Sequence, residues 1–336
     1  MEWEPDASAG AWLRERIDDP WRGTMHDIVP RGFAAYARVF HPAMRERPVG
    51  REWPPEPADR HRAEWEEFGR AGVEVDTERV TWGEAADAFG TTMHAGAQWH
   101  RIVRTEPRFE RSGESTDAAG WRYSPPEEGR LDPPLLALLA GVLSAHTSTP
   151  DDAYIAVWEG WGGLLGFYGE TPARAVVTLT RDDEPADLRY VSLDDAELLD
   201  RHREMLERSI HDRFNNVFRK RTWQPGVLSD EVSRGPRLSL PHRDHVLFRG
   251  SIAELADPDW VAAVPWADEP AALTASPSWI WPGDRAFAVA TEVDWDSTIV
   301  AGPMELIQAV CAHLELEALP LHEGAALTWD SDDVNR

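Results

Sequence analysis

The stretch Ala286-Phe-Ala-Val-Ala-Thr-Glu-Val-Asp-Trp-Asp-Ser-Thr-Ile-Val300 decides the fold class. It holds two apolar runs, Ala286 to Val293 and Ser297 to Val300, separated only by Asp294, Trp295 and Asp296. So short a gap suits a hairpin and leaves no room for the crossover that two parallel strands need. Outward from it, Pro303 opens a helix to His313 as a first-turn proline, and Glu317 to Leu321 reads as a last strand. Upstream, His245 to Arg249 and Tyr154 to Trp158 also read as strands. Further strands are expected over Ala173 to Thr180 and Leu188 to Leu193. Phe33 to Phe40 alternates bulky and small residues like a half-buried strand. His41-Pro42 ends it, and a Pro/Arg/Glu loop follows through Pro57.

Helices are expected over Asp59 to Ala71, Gln98 to Arg104, Leu135 to Ser144 and Asp194 to Lys220. Thr81-Trp82-Gly83-Glu84 carries a capping box that starts another. Strands and helices mix without a fixed period. The expectation is an α+β fold: a largely antiparallel or mixed sheet flanked by helices, with two lobes as an option. Residues 105–134 are rich in Pro, Gly, Ser and Glu, and only Trp121 and Tyr123 tie them to packed structure. They divide the chain into an N-terminal lobe, 1–130, and a C-terminal lobe, 131–336, unless one domain runs throughout.

Composition excludes several functions. The 336 residues carry 34 basic and 60 acidic side chains, a formal charge of −26. Such a surface repels phosphate backbones and anionic membranes, so neither nucleic acid nor membrane is expected as a partner. The longest apolar stretch, Leu135 to Leu143, is far shorter than the ~20 residues of a membrane helix. The acidic N-terminus lacks the apolar core of a secretory signal. One cysteine, Cys311, forms no internal disulfide and fits a reducing cytoplasm; its helical, apolar surroundings make it a buried, inert thiol. The outlier is 17 tryptophans against five tyrosines, more indole than a core of this size usually uses.

Several segments look familiar: Tyr36-Ala-Arg-Val-Phe-His-Pro42, Gln98-Trp99, His146-Thr-Ser-Thr-Pro150, Ile155-Ala-Val-Trp-Glu-Gly-Trp-Gly162, Pro277-Ser-Trp-Ile-Trp-Pro-Gly-Asp-Arg-Ala286, Val289 to Asp294 and Ser297 to Gly302. Together they resemble a family of uncharacterised bacterial proteins, from about residue 22 to residue 320. The resemblance implies a cytosolic bacterial protein whose domain is the whole chain. It brings no activity, cofactor or catalytic residue with it.

The residues themselves offer weak chemistry. Gly160-Trp-Gly-Gly-Leu-Leu-Gly166 superficially resembles a dinucleotide loop, but Trp161 occupies the turn, and Gly169 and Pro172 break any following helix. It reads better as a glycine-rich hairpin loop displaying Trp158 and Trp161. His242-Arg-Asp-His245 would point its two imidazoles to opposite faces if extended and bring them together if turned. His94 and His100 could form a second cluster, but no zinc signature accompanies either pair, and solvated or core-edge histidines are the better reading. Glu292, Asp294 and Asp296 would share one face of a strand, where they must be solvated, paired with Arg285 or with arginines of neighbouring strands, or bound to a cation; a solvated hairpin edge is the better reading, though such crowding can raise one carboxyl pKa. Glu159 lies between Trp158 and Trp161, an arrangement suited to cation recognition or sugar stacking.

The best functional reading is an intracellular binding or regulatory protein. Its Trp-rich acidic face would comprise Trp158, Glu159, Trp161, Trp279, Trp281, Glu292, Asp294 and Asp296. It would recognise another protein or a small neutral or cationic ligand, with no cofactor and no metal. The alternative is a hydrolase or lyase using paired carboxylates, with a carbohydrate as one candidate substrate and carboxyl groups about 5 to 10 Å apart across a cleft. Both require these segments to meet in one hollow.

Overall fold

A computed structural model describes residues 1–18, 22–56, 58, 60–105, 115–169 and 221–336. The strands expected at 173–180 and 188–193, and the helix expected at 194–220, lie outside the described residues.

The fold is α+β and antiparallel throughout its described pairings. In chain order the strands are β1 (Glu2–Trp3), β2 (Ala35–Phe40), β3 (Ala43–Pro48), β4 (Val75–Val80), β5 (Ser115–Thr116), β6 (Arg122–Ser124), β7 (Ala153–Trp158), β8 (Phe167–Gly169), β9 (Thr222–Gln224), β10 (Leu238–Ser239), β11 (Asp244–Gly250), β12 (Trp279–Pro282), β13 (Ala288–Thr291), β14 (Ser297–Gly302) and β15 (Ala318–Leu321). Among the described residues, a nine-stranded sheet runs β1-β11-β7-β12-β13-β14-β2-β15, with β10 added beside β11. A four-stranded sheet runs β4-β3-β6-β5, and β8 pairs with β9.

The deciding hairpin is β13–β14, in the register Ala288↔Ala301 to Thr291↔Thr298. Its strands alternate between two buried faces. Val289, Val300, Ile155, Val157, Val246 and Phe248 face the helices Pro133–Ser144 and Met304–Ala312. Ala290, Ile299, Ala156, Leu247, Trp279 and Trp281 face the N-terminal segment that carries Trp12, Leu13, Ile17, Met25 and Ile28. Burial on both faces explains why these strands read as near-continuous apolar runs. It also corrects the half-buried reading of β2. Tyr36, Ala37, Val39 and Phe40 are all buried, because β2 lies between β14 and β15 and both its faces are covered.

A second correction concerns the loop expected after His41-Pro42. Ala43–Pro48 is a strand, paired with both β4 and β6. Its charges hid it from pattern reading, yet within this sheet Arg45 donates to Glu78 at 2.7 Å and Glu46 accepts from Arg122, while Arg47 lies 4.4 Å from the Trp121 ring centre. Trp121 and Tyr123 are buried with Phe40, Val80, Trp82 and Trp99 in a separate core. The capping box exists as read: Glu84 N–H donates to Thr81 Oγ1 at 3.2 Å and Thr81 N–H donates to Glu84 Oε2 at 2.9 Å. The helix it opens, Trp82–Phe89, ends on Gly90 with φ 63°. The expected helix over Gln98 to Arg104 is only the turn Trp99–Ile102. Among the described residues, no helix is long and apolar enough to cross a membrane.

Candidate binding pocket

A small cavity sits on the Trp279 face of the large sheet, where three segments meet. The first is Ile17, Asp27 and Ile28 from the N-terminal cover, and the second is Leu240 to Arg243, the link from β10 to β11. The third is the end of β13 with the hairpin tip, Thr291 to Val293. His245, Ser278, Trp279 and Ala290 complete the lining, and the cavity volume is about 30 Å³. The β10–β11 link is tight: Leu240 N–H donates to the Arg243 carbonyl at 3.1 Å. This turn settles the geometry of His242 and His245. His242 lies in the turn, His245 lies in the strand, and both line the cavity. His242 Nε2–H donates to the Asp27 carbonyl at 3.1 Å. His245 is buried, and that burial pushes its pKa down to about 4, so the ring is neutral at pH 7.

Arg243 organises the mouth. Its Nε donates to Glu292 Oε1 at 2.6 Å and its Nη2 donates to Asp294. Its guanidinium stands 4.6 Å from the centre of the Trp158 ring. Trp158 meets Trp161 edge to face at 5.9 Å. Gly160 is needed beside them, since a Cβ there would lie 2.1 Å from the Trp158 ring.

The eight residues singled out from sequence therefore fall in different places. Trp279 and Glu292 line the cavity. Trp158 and Asp294 touch Arg243 at its rim, and Trp161 leans on Trp158. Glu159 instead accepts from Arg237 Nε at 2.9 Å. Trp281 is 1% exposed, stacked on Tyr154 at 5.5 Å and edged by Trp12. Asp296 accepts from the buried Arg38 at 3.0 Å. Glu292, Asp294 and Asp296 do not share a strand face, because β13 ends at Thr291 and 292–296 form the connecting turn. Their arginines are Arg243 and Arg38. Arg285 lies over the Trp12 ring.

Sequence reading missed Asp27, Ser278 and the clasping role of Arg243. It also missed Glu128, whose carboxyl is raised by burial and by the charges of Asp296, Asp294 and Glu292. Asp27 ends a short 3-10 turn far from the hairpin in sequence, so no local pattern marked it. The second histidine pair separates: His94 bonds Asp332 at 2.9 Å, while His100 faces Trp329. Cys311 is half-buried, and burial raises its thiol pKa. Among the described residues, no group of three or more His, Cys, Asp or Glu could hold a metal ion.

Among the described residues, three buried polar atoms of the lining have no hydrogen-bond partner: Asp27 Oδ1, His245 Nδ1 and Ser278 Oγ. The remaining Asp27 oxygen accepts from Gly23 N–H at 2.8 Å. Comparison with protein-family models, with curated proteins and with solved structures finds no match to this chain.

Proposed function

We propose that this chain is a binding protein whose pocket between Asp27, Arg243, His245, Ser278, Trp279 and Glu292 takes a small polar ligand, neutral or cationic. One observation carries the reading: the three unpartnered buried polar atoms belong to residues lining the same hollow. Leaving such a group unsatisfied costs about 1 to 3 kcal/mol each, a cost that a ligand making those bonds removes. The apolar remainder of the lining, Ile17, Ile28, Leu240, Trp279 and Ala290, gives the mixed character of a small-molecule site. Burial of Trp279 and Trp281 favours a small ligand over a protein docked on exposed indoles. The single half-buried cysteine is compatible with a cytoplasmic setting.

The test is a thermal-shift screen of small polar compounds against the wild-type chain and Ser278→Val, which fills the hollow and deletes a hydroxyl. A compound that stabilises the wild type saturably and leaves the variant unmoved supports the reading. A screen in which every active compound shifts both proteins equally refutes it.

A second reading rests on Glu128. A carboxyl held above its ordinary pKa beside carboxylates is the arrangement that general-acid chemistry uses. It would make the hairpin tip a hydrolytic site. Glu128→Gln would then abolish turnover of a glycoside panel, and an unchanged or absent turnover in both proteins ends this reading.

A further inference from the structure

We propose that the pocket receives the ammonium head of a small primary amine, with Asp27 Oδ1, Ser278 Oγ and His245 Nδ1 accepting its three N–H bonds. The inference rests on the reading of the pocket as a ligand site and names the class of ligand.

Size comes first. A cavity of about 30 Å³ holds one water-sized group, and an –NH₃⁺ head is of that size. The rest of the ligand must leave through the mouth. The lining is buried except at Pro241, His242, Arg243 and Glu292, so the mouth lies there.

Charge comes next. Asp27 is buried, and one of its carboxylate oxygens accepts no hydrogen bond from the described residues. Glu292 differs, because Arg243 already meets its charge at 2.6 Å. Arg243 also meets Asp294, and among the described residues no cation is ion-paired with the Asp27 carboxylate. A bare carboxylate oxygen in an apolar wall is the group that gains most from a cation. An anionic ligand would face Asp27 and Glu292 together.

Bonding pattern comes last. The carboxylate oxygen only accepts, and the serine hydroxyl can accept. The neutral His245 ring in its Nε2–H tautomer offers a lone pair at Nδ1. Thr291 does not compete for the head, since its hydroxyl is bonded to Thr298 at 2.8 Å. Trp279 adds an indole wall, which suits a cation. An alcohol or water would satisfy the same atoms without supplying the charge that Asp27 lacks.

Calorimetry on the full chain with methylammonium and ethylammonium tests this against methanol, acetate and tetramethylammonium. The primary amines should bind saturably with one site per chain. Tetramethylammonium carries the charge without N–H donors and should fail, as should acetate. Asp27→Asn keeps an acceptor for Gly23 N–H and removes the charge, and it should weaken amine binding about tenfold or more. Should that variant not fold, the primary amine and tetramethylammonium contrast on the wild-type chain still decides. Saturable methanol binding without amine binding would overturn the ammonium assignment and leave the pocket as a ligand site. If no probe binds and the Trp fluorescence stays unmoved, the hollow holds ordered water only, and both readings fall.

Discussion

At the residue scale, two histidines set how the protein meets acid. Burial pushes both His245 and His41 down to about 4, whereas in an unfolded chain they titrate near 6.5. His41 Nδ1–H donates to the Glu127 carbonyl at 2.9 Å, and its Nε2 accepts from the Thr298 hydroxyl at 3.0 Å, so the neutral ring is fully used. Between the two pKa values the unfolded chain binds more protons than the folded one. Stability therefore rises with pH across that window and is lost as pH falls through it. Each ring accounts for on the order of 3 kcal/mol over the window. Urea unfolding near pH 4.5 should give a free energy several kcal/mol below that near pH 7, with both imidazole NMR signals still neutral near pH 5. A ring among these two that titrates near 6.5 would contradict the burial argument. Trp281 is the other residue to probe. It is sealed between Tyr154 and Trp12, so Trp281→Ala should cost roughly 3 to 5 kcal/mol. The pocket lining excludes it, so any ligand affinity measured on the folded variant should change little.

At the element scale, the smaller sheet and the larger one are joined through a helix end. Glu317, at the start of β15, accepts from Trp82 N–H at 2.6 Å and from Gly83 N–H at 2.7 Å. These amides open the helix Trp82–Phe89 and have no partner within it. Burial raises the Glu317 carboxyl while the two amides lower it. Glu317→Ala removes both bonds and the charge at the helix N-terminus, and should cost roughly 1 to 3 kcal/mol. Glu317→Gln keeps acceptor capacity and should cost less. Equal denaturation midpoints for the two variants would show that the bonds contribute nothing. The capping box was visible in four residues because Thr81 and Glu84 satisfy one another locally. Glu317 was invisible because its partners lie far away in the chain. The same contrast explains β3. Pattern reading finds strands by contrast in polarity, as the apolar runs of β13 and β14 contrast with their acidic turn. Arg45, Glu46 and Arg47 erase that contrast, and only the partner strands reveal that Arg45 is met by Glu78 and Glu46 by Arg122.

At the scale of the whole molecule, the same limit governs the site. Trp279 and Glu292 stood out as residue types, and His242 and His245 as a spacing, and all four line the cavity. Asp27 and Ser278 stood out as nothing, because their significance is an unmet hydrogen bond that exists only after three distant segments meet. Arg38 shows how such meetings are held. It lies in β2, is 2% exposed, and spreads its donors over separate segments. Nε donates to Ser297 Oγ at 2.8 Å, Nη1 to the Ala97 carbonyl at 2.7 Å and to the Ala95 carbonyl at 3.2 Å, and Nη2 to Asp296 at 3.0 Å. The guanidinium also lies over Phe40 and Trp82, at 4.6 and 5.3 Å. One planar fork thus joins the large sheet, the hairpin tip and the 95–97 segment. Lysine keeps the charge but gathers its three donors on one atom and has no plane to rest on the rings. Arg38→Lys must leave at least one of these acceptors unpaired and should cost on the order of 3 kcal/mol. Because Asp296 belongs to the same turn as Glu292, the loss should also loosen the pocket mouth. Hydrogen exchange at Glu292 to Asp296 should accelerate in Arg38→Lys more than exchange in β7. Uniform acceleration across both would mean that Arg38 stabilises the fold as a whole without positioning the turn.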